Sequence, residues 1–366
     1  MFQIIKRSLL PAMMTVIMVG AGAAMAQTSS TSTGVSRLMN PAISANGLFL
    51  GTVSRDNPDP AANGIFLQEA EVQITSVVDP FWTADLIVVW AQQEDSETYD
   101  TLIETASLRS TAMPAGLGLT LGKFFLPFGK QAMLHPHQWA FVDAPLAVDE
   151  FIPGMLDVGV SLDMTMPMPW YSELIVYVTD GQAGIFDSEN RDLSYGARLT
   201  NMWDLSMDGT LEFGGSFITG QDAERDLTGT KQKNVFGLDL TYKWSSGSLS
   251  QGPAVNWTNE IVLPQPDSNG SGNPFGFYSQ FQYRFARTWW LGLGGGLTRE
   301  KSIYEGGLES LEGWNEAKIN ATFVPSEFST IRAEIAYQER DDSSEEDLRF
   351  SLQWNFTIGS HPAHLY

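Results

Sequence analysis

The chain has 366 residues, of which 43% are hydrophobic and 17% charged, with 34 Gly, 21 Phe, 11 Trp, 10 Tyr and no Cys. The absence of Cys excludes a disulfide scaffold and a thiolate metal site. Forty-three acids against 21 bases give a formal charge of −22 and exclude nucleic acid as a partner, because too little basic surface remains to neutralise a phosphate backbone.

Residues 1–26 read as a signal peptide. Lys6 and Arg7 form its positive start, residues 9–19 its apolar centre, and Ala24-Met25-Ala26 a small-residue cleavage site. That apolar run is shorter than the ~20 residues a spanning helix needs. Residues 27–42 are rich in Ser and Thr and read as a flexible lead-in. From residue 43 to 358 the pattern alternates with a period of two and shows almost no helical spacing. In residues 81–92, Trp82, Ala84, Leu86, Val88 and Trp90 share one face. In residues 235–244, Phe236, Leu238, Leu240, Tyr242 and Trp244 do the same against Asp239, Thr241 and Lys243. In residues 348–358, Leu348, Phe350, Leu352, Trp354, Phe356 and Ile358 oppose Arg349, Ser351, Gln353, Asn355 and Thr357. The runs are about 9–12 residues long, which is the length a tilted strand needs to cross a bilayer. Aromatics at the ends of the apolar faces match the girdles of a membrane barrel. The expected fold is therefore all-β, a transmembrane antiparallel barrel.

Runs begin near residues 43, 64, 81, 101, 117, 157, 171, 193, 209, 234, 255, 276, 288, 314, 329 and 347, which predicts about 16 strands; 14 and 18 remain alternatives. Short turns such as Asp79-Pro80 alternate with long connections, as periplasmic turns alternate with outer loops. The third long connection, residues 126–156, is exceptional in length and strongly apolar: Phe128, Met133, Leu134, Trp139, Phe141, Val142, Phe151 and Ile152. Such a loop would not hang in water, so it is expected to fold inward and narrow the lumen. Gly292, Gly294 and Gly296 lie on the polar parity of their strand; they either admit that loop or relieve curvature of the wall.

Residues 64–80 (GIFLQEAEVQITSVVDP), 104–113 (ETASLRSTAM), 122–129 (GKFFLPFG), the His135-Pro136-His137 run and the ending from Trp354 to His364 resemble a family of proteobacterial outer-membrane proteins. Its members are described as zinc-regulated or porin-like, and it sits near the phosphate-selective porin O and P group. The resemblance implies an outer-membrane barrel with loosely defined cargo. Lipid, lipopolysaccharide and small hydrophilic solutes are the partners expected of such a barrel, as a monomer or a homo-trimer.

The polar parity places Glu69, Glu71, Asp85, Glu173, Glu212, Asp239, Glu260, Glu316 and Glu334 in the lumen, with Arg109, Lys123, Arg198, Lys243, Arg284, Lys318, Arg332 and Arg349. The wall is thus nearly neutral and the excess acid lies in loops, for example Asp341, Asp342, Glu345 and Glu346. Charge rings select ions of opposite sign. The expected function is passive diffusion of small solutes or ions, leaning weakly towards cations and not towards phosphate. No GxSxG, HExxH or phosphate-loop motif occurs, so an enzyme is not expected. All four histidines fall in two Pro-containing motifs, His135/His137 and His361/His364, the latter in the tail 359–366. Imidazole is a common zinc ligand, so the alternative to a channel is a barrel that binds a divalent metal, with Asp143 or Asp149 completing a loop site.

Overall fold

The computed structural model describes residues 41–359 apart from 56–62, 93–97, 115, 187–191, 222–231, 247–251, 266–272, 304–308 and 342–344. The signal segment, most of the lead-in and the tail with His361 and His364 lie outside the described residues.

Sixteen antiparallel strands close into one barrel. In chain order they are β1 (Ala42–Ser54), β2 (Gly64–Asp79), β3 (Trp82–Gln92), β4 (Tyr99–Ser110), β5 (Leu117–Phe125), β6 (Leu156–Thr165), β7 (Tyr171–Thr179), β8 (Ser194–Ser206) and β9 (Gly209–Gln221). They continue with β10 (Gln232–Ser245), β11 (Ala254–Pro264), β12 (Phe275–Ala286), β13 (Trp289–Ile303), β15 (Trp314–Ser326), β16 (Ser329–Arg340) and β17 (Glu346–Gly359). A seventeenth, four-residue strand, β14 (Glu309–Glu312), only extends the end of β13 as a hairpin. Each barrel strand pairs with its neighbours in sequence. Closure comes from β1 against β17, in a ladder from Ser44–Gly359 to Ser54–Arg349. A closed ring leaves no edge, so the backbone of every spanning segment can be satisfied within the sheet. Every strand begins within two residues of its expected start, because strict alternation fixes which face a residue takes.

The barrel is inverted relative to a soluble sandwich. On β17, Phe350, Leu352, Trp354 and Ile358 are exposed on the outside, whereas Ser351, Gln353, Asn355 and Thr357 are buried inside. On β10, Phe236 and Leu238 point out, and Asp239 and Thr241 point in. Aromatic clusters mark the end with the short turns, including Trp170 with Trp203 and Trp289 with Phe323. Phe217 and Phe236 pack together near the opposite end. An apolar outer belt bounded by aromatics is what lipid contact requires.

The main hydrophobic core lies within the barrel. Residues 126–155 leave β5, turn inward and bury Leu126, Phe128, Ala132, Ala147, Val148, Phe151, Ile152 and Met155. Ala183, Ile185 and Phe186 of the next long connection join them, with Ile218, Val235, Val262 and Tyr278 from the wall. The loop holds two short 3-10 turns, Gln131–Met133 and Pro136–Gln138, and one helix, α1 (Leu146–Phe151).

Lys123 departs from its expected place. It stands opposite Ala106 and Val158, both exposed on the outer face, so it sits on the outer side of the barrel. Its ammonium donates to the Ile103 carbonyl at 2.8 Å. The strand alternates without a register shift, and Lys123 shares the parity of Leu117, Leu119 and Leu121, which stand opposite Met164, Leu162 and Val160 on the outer face.

Candidate functional site

The loop is stitched to the inner wall by polar groups that the alternation had already placed in the lumen. On one side, Glu260 of β11 accepts from the backbone N–H of Lys130 (3.0 Å) and Gln131 (3.2 Å) and from the Tyr278 hydroxyl (2.7 Å). Lys130 Nζ donates to Glu212 at 2.7 Å, and the Gly129 N–H to Ser216 Oγ at 3.0 Å. On the other side, the Val142 N–H donates to Glu334 (3.0 Å) and the Leu146 N–H to Glu316 (3.2 Å). Lys318, Asn320 and Arg332 donate to the carbonyls of Ala144, Ala140 and Trp139. Arg349 pairs with Asp143. Buried polar groups survive only when paired in this way. Acids of the wall, with Ser216, thus take the loop's N–H groups, and bases of the wall, with Asn320, take its carbonyls.

Two wall glycines act as seats. A β-carbon on Gly237 would stand 2.8 Å from the Phe128 ring, and one on Gly294 would stand 2.9 Å from that of Phe141. Of the two expected roles for the glycine run, close approach of the loop is the one Gly294 performs.

The third side of the loop carries a histidine cluster. The His135 N–H donates to Gln138 Oε1 at 3.1 Å, and the Gln138 N–H donates back to the His135 carbonyl at 2.8 Å. Pro136 opens the 3-10 turn between them. This turn holds the two imidazoles side by side, with ring centres 5.0 Å apart. His135 Nδ1 lies 3.1 Å from Glu71 Oε2 on β2 and 3.2 Å from Glu104 Oε2 on β4. His137 Nδ1 lies 3.6 Å from the same Glu71 oxygen. Burial opposes a proton on His135, but Glu71 and Glu104 outweigh it and hold the imidazole well above its ordinary range. Glu69, 1% exposed, adds a third carboxylate on β2.

Glu104 was not expected inside. Opposite it, β3 steps from Ile87, paired with Thr105, to Val88, paired with Ile103, so a bulge turns both Glu104 and Thr105 inward. The expected carboxylate partners for the histidines also differ. Asp143 is engaged by Arg349 instead, and Asp149 lies on α1. The cluster draws its acids from β2 and β4, remote in sequence.

Of the other expected lumen residues, Arg198 and Asp239 form a buried two-pronged pair at 2.6 and 2.9 Å. Arg109 bridges to Asp163 at 3.0 Å, and Asp85 accepts from Gln73 and Thr75. Lys318 pairs with Glu316 at 2.8 Å. Arg284 lies over the Trp290 ring near the short-turn end, while Glu173 and Lys243 share the inward parity. Asp157 and Asp163 are additional inward acids that the sequence reading did not include.

No family model matches the chain. A protein of Aquifex aeolicus (strain VF5), described as uncharacterized, is 27% identical over 333 residues, covering 82% of this chain and 70% of that one. Among solved structures, an anion-selective porin from Comamonas acidovorans matches with a TM-score of 0.58 at 8% identity, covering 87% of this chain and all of that one. Pseudomonas putida OprB matches with a TM-score of 0.58 at 10% identity, covering 87% of this chain and 94% of that one. The outer membrane channel DcaP of Acinetobacter baumannii matches with a TM-score of 0.57 at 14% identity, covering 87% and 96%. At these identities the likeness establishes a porin-like barrel fold.

Proposed function

We propose that the protein is an outer-membrane, porin-like channel for small hydrophilic solutes or ions, exported by the cleaved leader 1–26 and narrowed by the loop 126–155. The observation that carries this reading is the docking of that loop, by backbone hydrogen bonds to charged wall residues, inside a closed barrel with an apolar exterior.

The channel leans towards cations. Glu104, Asp157 and Asp163 add to the inward acids, whereas Lys123 is lost from the inward bases. Charge rings of one sign favour ions of the other. The narrower kinship with zinc-regulated and phosphate-selective porin groups rests on the sequence segments alone. Lipid and lipopolysaccharide contact the belt, and the barrel acts as a monomer or a homo-trimer.

Planar-bilayer recording under a salt gradient tests the reading. Discrete conductance steps with a cation-directed reversal potential are expected. A reversal potential directed to anions would refute the selectivity, and the absence of steps would refute the channel.

A further inference from the structure

We propose that Glu71, His135 and His137, with Glu104 beside them, form a divalent-metal site, of the kind that takes zinc, which fastens the inward loop to β2 and β4. The candidate ligand atoms of Glu71, His135 and His137 all lie within 4.8 Å of one another, and all three residues are buried. In a tetrahedral site with ~2.0 Å bonds, ligand atoms stand about 3.3 Å apart. The Glu71 oxygen is 3.1 Å from one imidazole nitrogen and 3.6 Å from the other, so the spacing already brackets that value.

Charge gives an independent argument. Three carboxylates, those of Glu69, Glu71 and Glu104, are buried with two imidazoles. Beyond its ion pair with His135, Glu104 has no hydrogen-bond partner for either oxygen among the described residues, and Glu69 Oε1 has none. Acids packed inside a barrel are costly unless a cation offsets them, and an imidazolium at His135 would offset one of the three. Lys123 is the neighbouring basic side chain; it acts on Glu104 through space from the outer side, where its ammonium donates to the Ile103 carbonyl.

The donor set selects the metal class. Two imidazoles and carboxylates suit zinc and similar first-row ions, whereas calcium and magnesium want oxygen ligands throughout. The ligands are also pre-arranged, because the Pro136 turn holds both histidines on one side and strand pairing holds both glutamates. The other polar stitches of the loop reach β9, β11 and β15–β17. A metal here would fasten the remaining side.

The test uses the full mature chain, folded in detergent, stripped with chelator and dialysed against zinc at neutral pH. Metal uptake is read without any conductance step, so it stands or falls separately from the channel reading. About one zinc per chain is expected. Glu71→Gln keeps the volume and removes the anionic ligand; it should weaken binding more than the ~10-fold typical of losing even an outer-shell partner. His137→Ala should do the same. Heat-modifiable gel migration confirms that each variant is folded, and where His137→Ala fails to fold, the near-isosteric Glu71→Gln decides. Cobalt should give visible absorption in the wild type that Glu71→Gln loses. The double variant His361→Ala/His364→Ala should bind as the wild type does. Absence of uptake by the wild type, undiminished uptake by Glu71→Gln, or loss of uptake in the tail variant would each overturn the proposal.

Discussion

Replacing Phe141 with alanine should release the loop while leaving the barrel wall intact. Phe141 is fully buried, and its ring rests on the bare backbone of Gly294. Phe→Ala at a packed site costs about 3–5 kcal/mol. No ladder hydrogen bond of the barrel passes through this side chain, so the loss falls on the docking equilibrium of the loop. The lower figure is the appropriate one, because water can refill the space from the lumen. At 1.4 kcal/mol per factor of ten, about 3 kcal/mol raises the undocked population roughly 100-fold. Trypsin reports that population. Lys130 is the one Lys or Arg between residues 126 and 155, and in the docked loop it is held against Glu212. Cleavage after Lys130 tracks the open fraction when docking is fast relative to cutting. Folded Phe141→Ala protein should therefore be cut after Lys130 about two orders of magnitude faster than the wild type. An unchanged rate, with unchanged heat-modifiable migration, would show that the ring does not hold the loop in place.

Other outcomes follow from the same contacts. Gly294→Val should speed cleavage at Lys130 in a protein that still migrates as a folded barrel, since a side chain there meets the Phe141 ring; cleavage at the wild-type rate would argue against the seat. Arg198→Ala strands the buried Asp239 carboxylate, and breaking such a pair typically costs about 3–5 kcal/mol. The temperature at which the folded gel band is lost should fall, and an unaltered transition would contradict the pairing. Lys123→Ala should leave ion selectivity unchanged because the residue stands on the outer face; a shifted reversal potential would return it to the lumen.

The barrel was legible because alternation is a local signal: side-chain parity and strand length together specify a wall with one wet and one oily side. The inward path of the third connection was legible for a related reason, since eight large apolar residues cannot remain in water. Glu104 was not, because a bulge depends on how β4 is registered against β3, and one extra residue reverses the expected face. Lys123 was misplaced for the opposite reason: its charge suggested the lumen, whereas its parity, shared with Leu117, Leu119 and Leu121, placed it on the outer face. The partners of the histidines were hidden most deeply. Both motifs advertised themselves by composition, but Glu71 and His135 are more than sixty residues apart, and only the docked loop brings them together.

The central claim is that the lumen is a channel narrowed by the loop. Single-channel conductance of the wild type, compared in planar bilayers with a chain lacking residues 131–153, tests it most directly. Small steps from the wild type and distinctly larger ones from the shortened chain are predicted, because the segment removed fills the space between β2–β4 and β15–β17. Equal conductance from two folded barrels, or no steps from either, would contradict it.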